Sequence, residues 1–527
     1  MKILFHHLIE NMATNRGAAT ALIDRQETAT YAGLWQEIRA VAGGLQQLGL
    51  ERYQRMAVYL DKRKETVVSF FSASAAGGVF VPINPQLRSQ QAGHILRDCD
   101  VRILVTSAER LDALQYEFQQ CPELKTILIV GKLKECACNL PGLEILPFGD
   151  LNGALGKCRN VETDMAAILY TSGSTGKPKG VVLSHRNLMV GAESVSHYLD
   201  IQAHDRILAA LPLSFDAGLS QLTTAFYRGA SAVLLNYLLP RDVIRQCEKH
   251  RITGLTFVPP LWIKLAQEVW PAAAVESLSY FANTGGHMPR TTLGALRKIF
   301  PQARPFLMYG LTEAFRSTYL DPVEVDDRPE SIGKAIPNAE ILVLDEDGHE
   351  CAPGEVGELV HRGPLVAMGY WNAVEQTALR FRTMPNRPSG LMNHEFAVWS
   401  GDLVRKDKDG FLYFVGRNDD MIKTSGYRVS PSEIEEVVVS SGLVSEAVAL
   451  GVPDDFLGQK IIVFVVTDED DRFDAENLLE HCRKHLPLYM VPQEFKRREV
   501  LPRNPNGKFD RAVLKQELLE VVGEQLS

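Results

Sequence analysis

The chain has 527 residues, 45 % of them hydrophobic and 23 % charged, with a net charge of −9 and a pI near 5.9. This length calls for roughly two to four domains or subdomains rather than a single core. The acidic balance excludes a general attraction to nucleic acid or anionic lipid, and no apolar run of about 18 residues marks a membrane span.

The opening stretch, MKILFHHLIENMATN, carries one Lys and a short apolar run, too short for the core of a secretory signal. Eight cysteines are scattered along the chain, which suits reduced thiols and a cytoplasmic location. Cys136 and Cys138 form the one close pair, with no second Cys/His pair nearby to complete a metal site. Short β-rich runs then alternate with helical patterns, as at residues 56–60 (MAVYL), 103–106 (ILVT), 125–130 (KTILIV) and 207–211. This alternation predicts a layered α/β core.

At residues 168–185 the chain reads ILYTSGSTGKPKGVVLSH. Small residues let backbone N–H groups approach an anion closely, hydroxyls add donors, and lysines add charge, so the loop Thr171, Ser172, Gly173, Ser174, Thr175, Gly176, Lys177 is suited to polyphosphate. It is not the P-loop of NTPases. That pattern needs a Gly where Thr171 stands and a Ser or Thr where Pro178 stands. Pro178 also argues against a helix start, so the loop is expected to join two strands.

From about residue 331 to 418 the texture becomes short alternating strands with Asp-Gly turns (Asp347-Gly348 and Asp409-Gly410), predicting a small antiparallel or barrel-like β unit. Then Ser430, Pro431 and Glu433 read as N-cap, first-turn proline and capping-box partner of a helix. A buried strand at residues 460–467 and an amphipathic helix at 474–486 follow. The expected division is residues 1–418 and a small α+β domain at 419–527, with a hinge at Asp419.

Five segments together resemble the signatures of the adenylate-forming superfamily of acyl-CoA synthetases, nonribosomal-peptide adenylation domains and beetle luciferases. They are the loop at 171–180, YGLTE at 309–313, SGDL at 400–403, GRNDDMIKTSGYRVSPSE at 416–433 and NPNGKFDR at 504–511. They occur in the family's order and span nearly the whole chain. The resemblance implies a large layered N-terminal domain and a small mobile C-terminal one. It also implies a two-step reaction: a carboxylate attacks the α-phosphate of ATP, releasing pyrophosphate, and a thiol then displaces AMP. No protein nucleophile is required, and the chain offers no GxSxG elbow.

By the same resemblance, the loop Thr171 to Lys177 would cradle the β- and γ-phosphates. Thr312 would donate to the α-phosphate, Tyr309 and Gly310 would bind the nucleotide, Gly310 also the acid, and Glu313 would hold Mg²⁺. One carboxylate plus phosphate oxygens and water suits that ion. Asp402 would accept from the ribose hydroxyls with Arg417 nearby, and Gly285 and Gly286 would border the adenine and the acid. Lys508 would bridge the carboxylate and the α-phosphate as a mobile cation. Lys423, Gly426 and Tyr427 would face the thiol once the C-terminal domain has rotated about Asp419.

Phe215 and Asp216 fall in the acid pocket. A buried carboxylate needs a cation, which an amine-bearing acid would supply; Asp216 is equally placed to cap the following helix. His287 departs from the residues usual after the paired glycines, and no role is read from it. The 19 residues after Lys508 leave no room for a fused carrier domain, so CoA or the phosphopantetheine of a separate carrier protein is the expected thiol.

Overall fold

The computed structural model describes residues 3–132, 142–171, 178–384, 390, 395–417, 421–467, 474–503 and 509–524. Cys136, Cys138, Ser172, Gly173, Ser174, Thr175, Gly176, Lys177, Asp419 and Lys508 lie outside them. No helix among the described residues is long and apolar enough to cross a membrane.

Two large sheets form the first part of the chain. The nine-stranded sheet runs parallel through its interior, from Thr20–Asp24 through Ser231–Leu234, Arg206–Ala209, Gly254–Phe257 and Tyr280–Asn283 to Arg304–Tyr309. Its edges are antiparallel. In the eight-stranded sheet, Met165–Thr171, Val79–Pro82, Arg55–Tyr59, Val101–Ser107 and Thr126–Val130 are parallel neighbours in that order. Strands of this kind are covered on both faces, which is why they read as continuous apolar runs rather than alternating ones.

The helix Lys64–Ala76 shows how the sheets are joined. It is buried at every position from Thr66 onward, and the hydroxyls of Ser69 and Ser72 are spent on the Glu65 and Ile38 carbonyls. One continuous core holds Leu22, Ile207 and Ala232 of one sheet with Met56, Phe80 and Ile103 of the other.

The Asp-Gly segment forms a five-stranded antiparallel sheet, including Glu340–Leu344, Val356–Arg362, Phe396–Lys406 and Leu412–Arg417. After it come the hairpin Ile422–Thr424/Tyr427–Val429 and a three-stranded sheet, Glu446–Asp454, Gly458–Val466 and Glu494–Arg497. Helices Pro431–Ser440 and Ala475–His485 pack there over a core of their own.

Two local expectations change. Ser430 does occupy the N-cap of its helix, but its side chain makes no capping hydrogen bond. Glu433 turns away to a partner across the chain, described below, so no capping box forms. The second change concerns Asp216, which is the first residue of the helix Asp216–Arg228, with Phe215 at the N-cap.

That helix is set against the preceding turn by Gly218. A Cβ there would lie 1.9 Å from the Pro212 carbonyl oxygen, and the opposing atom is backbone that cannot rotate aside. Gly218→Ala is therefore expected to cost about 1–3 kcal/mol by overpacking, read as a lowered midpoint in thermal denaturation.

Candidate active site

In parallel sheets, ligands settle at the carboxyl ends of the strands. Here the two sheets aim those ends at one cavity of about 520 Å³. Asn84 follows Val79–Pro82, Pro212 follows Arg206–Ala209, Val258 follows Gly254–Phe257, Thr284 and Gly285 follow Tyr280–Asn283, and Gly310 follows Arg304–Tyr309; all line it. Lys423, Gly426 and Tyr427 close it from the C-terminal part of the chain.

Among the described residues, most of those predicted from sequence line this cavity. Thr171 ends the strand Met165–Thr171, which pairs antiparallel with Lys179–Ser184, so the loop between them does join two strands. Thr312 and Glu313 begin a single 3-10 turn, Thr312–Ala314, on the cavity wall. Glu313 is 6 % exposed, and its Oε1 accepts a hydrogen bond from the Tyr370 hydroxyl at 2.6 Å. Asp402 is buried on the wall and accepts from the Tyr309 hydroxyl. Backbone register sets Arg417 opposite Asp402 on the adjacent strand. Gly286 lies beside Gly285, its carbonyl accepting from Asn283 Nδ2 at 2.8 Å. His287 is exposed and 3.4 Å from Glu330.

The hairpin is fitted tightly to the wall. Gly426 has φ +81, and a Cβ there would lie 2.6 Å from Val258 Cγ1. The Tyr427 ring stands edge-on to Phe215 at 5.0 Å and stacks on Tyr489 at 3.7 Å. Among the described residues, Arg503 and Phe509, which flank the segment holding Lys508, do not line the cavity.

Asp216 lies on the wall, and its neighbour is one that sequence reasoning missed. Arg316 is 3 % exposed, with Nη1 3.8 Å from Asp216 Oδ2 and donating to Thr284 Oγ1 at 3.1 Å. The 3.8 Å gap is an ion pair but lies beyond hydrogen-bond range. Burial pushes the Asp216 carboxyl above the usual carboxylate range; Arg316 pulls it down and Glu313 pushes it further up. The signal available in the sequence was an arginine three residues after the Glu of YGLTE, inside an apolar stretch.

Glu433 was the other omission. It is 9 % exposed, borders the cavity, and accepts a 2.6 Å hydrogen bond from Gln91 Nε2. Gln91 lies on the helix Ser89–Asp98, so this bond ties the C-terminal helix to the eight-stranded layer. Arg88 adds a bond to the Arg483 carbonyl.

Comparison with known proteins agrees with this layout. The model of the AMP-binding enzyme family matches residues 9–371, and that of the AMP-binding enzyme C-terminal domain matches residues 433–508. A long-chain-fatty-acid–CoA ligase of Salmonella typhimurium is 29 % identical over 542 aligned positions, covering 97 % of this chain and 94 % of the relative. Gramicidin S synthase 2 of Aneurinibacillus migulanus is 30 % identical over 93 % of this chain, which spans only 10 % of that much longer protein. A solved double mutant of o-succinylbenzoate CoA synthetase from Bacillus subtilis, bound with its product analogue, is 26 % identical. It superposes with a TM-score of 0.81 over 97 % of this chain and 98 % of that one.

The Gln91 contact carries a pH dependence. Burial pushes Glu433 up to about 7 against the lowering effect of the Gln91 bond. Docking of the helix Pro431–Ser440 thus favours the protonated carboxyl. The stabilisation is complete below the free-carboxylate value of 4.5 and is lost as pH climbs to about 7, with a total on the order of 3 kcal/mol. Hydrogen exchange in Ser89–Asp98 is expected to accelerate from pH 5 to 7, after correction for intrinsic rates, and to level off above. Glu433→Gln should flatten that rise.

Proposed function

The chain belongs to the AMP-binding enzyme family, and from that premise we propose that it is an ATP-dependent, AMP-forming ligase joining a carboxylic acid to a thiol. The observation that carries the reading is the meeting of Thr312, Glu313, Asp402 and Gly285 with the hairpin residues Lys423 to Tyr427 around one cavity. In the first step the acid's carboxylate oxygen attacks the α-phosphorus of ATP, the bond to the bridging oxygen breaks, and pyrophosphate leaves. In the second, a thiol sulfur attacks the acyl carbon and AMP leaves.

The first step brings two anions together, so aligned donors and cations supply its catalysis. Thr312 donates to the α-phosphate, and Asp402, braced by Tyr309, accepts from the ribose hydroxyls with Arg417 beside it. The segment Thr171 to Lys177 holds the outer phosphates. Glu313 fits Mg²⁺: its carboxylate lies on the cavity wall beside Thr312, with one oxygen bonded to Tyr370, and the ion would neutralise phosphate charge. Lys508 supplies the mobile cation of this step. The hairpin carrying Gly426 and Tyr427 serves the thiol step, and its seat against Val258 and Phe215 supports that assignment. Residues 419–527 form the lid that turns about Asp419 between the steps. CoA or a separate carrier protein provides the thiol.

An acid bearing an amine is the favoured substrate. Asp216 stands on the cavity wall with its side chain 15 % exposed and receives no hydrogen bond from Arg316, so a substrate ammonium would complete its compensation. A second reading is a plain acyl-CoA ligase, favoured by the same Arg316, because the chain then supplies Asp216 with a cation of its own.

Acid-dependent exchange of pyrophosphate into ATP tests both, using amino acids, fatty acids and aryl acids. The amine reading expects exchange with an amino acid. It also expects Asp216→Ala to raise the KM for that amino acid about 30-fold or more, equivalent to about 2 kcal/mol. Exchange confined to acids without an amine would leave the plain ligase. Glu313→Gln should lower the exchange rate about 100-fold with any acid, and no exchange with any acid would overturn the ligase reading itself.

A further inference from the structure

Most residues lining the cavity are buried or half-buried. Four are exposed, Gln86, Leu238, Lys264 and Leu488, and these mark its mouth. Leu238 is 92 % exposed and Leu488 75 %, and Leu239, beside the first, is 61 % exposed. The leucines come from distant parts of the chain. Leu238 follows the strand Ser231–Leu234 of the nine-stranded sheet, and Leu488 opens the 3-10 turn Leu488–Met490 that follows the helix Ala475–His485. A single exposed leucine is ordinary on a protein surface. Leucines on both sides of one opening form an apolar rim, and such a rim marks a surface that another molecule covers.

The place of the rim narrows what covers it. Tyr489, next to Leu488, stacks on Tyr427 of the hairpin at 3.7 Å, and that hairpin serves the thiol step. An arm carrying a thiol past the hairpin would cross the rim, and the body that bears the arm would rest on it. If that body is the nucleotide of CoA, it brings a 3′-phosphate and a diphosphate, groups that proteins hold with clustered Arg and Lys. Of the four residues at the mouth, Lys264 is the one cation, and its Nζ lies 5.2 Å from the centre of the Phe456 ring. Arg88, close after Gln86, donates to the Arg483 carbonyl, and Lys484, shortly before Leu488, pairs with Glu480 at 2.7 Å. Leucine side chains offer phosphates nothing. They suit an apolar patch on a protein, since the centre of a protein–protein contact is depleted in charge.

We propose that the thiol is brought by a carrier protein bearing a phosphopantetheine arm, which docks on the rim formed by Leu238, Leu239 and Leu488, and that the nucleotide of free CoA is not gripped. The proposal rests on the ligase reading above, because only the thiol step calls for such an arm. In that step the carrier's sulfur bonds to the acyl carbon and the bond from that carbon to the adenylate oxygen breaks. AMP leaves with the electron pair, and the thiol proton passes to solvent. The product stays tethered to the carrier as a thioester.

The test takes the full-length protein with the acid that gives the fastest pyrophosphate exchange. Thioester formation is measured with CoA, with pantetheine, and with a panel of phosphopantetheine-loaded acyl and peptidyl carrier proteins. Remote parts of a substrate raise kcat/KM only where the enzyme grips them, so CoA is expected to match pantetheine within about threefold and the best carrier to exceed both by about 100-fold or more. Leu238→Asp and Leu488→Asp should each lower the carrier's kcat/KM about 10-fold or more, while pyrophosphate exchange and the pantetheine rate stay within about threefold. CoA exceeding pantetheine by about 100-fold overturns the proposal, as does a carrier panel no better than pantetheine. Variants that lower carrier, pantetheine and exchange together assign the leucines to the cavity itself, and this also overturns it. So does binding of the wild type to phosphatidylglycerol vesicles that both variants lose, which makes the rim a membrane contact. Absence of exchange with every acid overturns the ligase reading instead.

Discussion

The interior helix Lys64–Ala76 is the constraint on which the rest depends. It is buried from Thr66 to Ala76, packed between the strands Arg55–Tyr59 and Val79–Pro82 of one sheet and the helices Tyr31–Gln47 and Asp216–Arg228 that cover the other. Two sheets held against common helices cannot slide independently. Their strand ends are fixed relative to one another, and the cleft between those ends becomes a permanent feature. Asn84 from one sheet and Thr284 from the other line the same cavity for this reason. Close packing then makes the arrangement discrete rather than deformable. Gly218 and Gly426 show how little room is left, since a single methyl at either would overlap its neighbour.

The cavity itself departs from that apolar economy. Asp216, Arg316, Glu313, Asp402 and Glu433 are all buried or nearly so on its wall. Groups of this kind are rarely buried without a partner, and each has a specific one: Tyr370 for Glu313, Tyr309 for Asp402, Gln91 for Glu433. The tyrosines and the glutamine donate to carboxylates without bringing opposing charge. The carboxyls are thereby held in fixed positions on the wall. Asp216 is different in facing a full cation, Arg316.

Much of this was legible because it is local. Alternating apolar runs gave the layered α/β core, and Asp-Gly turns gave the antiparallel sheet between Glu340 and Arg417. The clustering of Thr312, Glu313 and Asp402 around one cavity was legible only through the resemblance of their motifs to a known family. What was missed depends on distant partners. Ser430 and Glu433 have the spacing of a capping box, yet Glu433 bonds Gln91, 342 positions earlier, and burial at that contact outweighs a local cap. Arg316 was hidden for a similar reason. Its approach requires a left-handed backbone at Phe315, and phenylalanine is among the residues least suggestive of one. Only the Gly191 surface beneath the ring explains it, and nothing in the sequence connects those two positions.

The nine-stranded sheet also sets a schedule for synthesis. Its strand Thr20–Asp24 pairs in parallel with Ser231–Leu234, which leaves the ribosome about 200 residues later. At about 5–20 residues per second, that interval lasts on the order of 10–40 seconds. Throughout it, Thr20–Asp24 has only the short neighbour Glu27–Thr30, and its other edge offers unpaired backbone groups to any chain nearby. The eight-stranded sheet suffers less, since Arg55–Tyr59, Val79–Pro82 and Val101–Ser107 emerge almost together. A nascent chain stalled before residue 231 thus carries one sheet well advanced and an open edge on the other, which makes it a natural client for a chaperone that recognises extended strands.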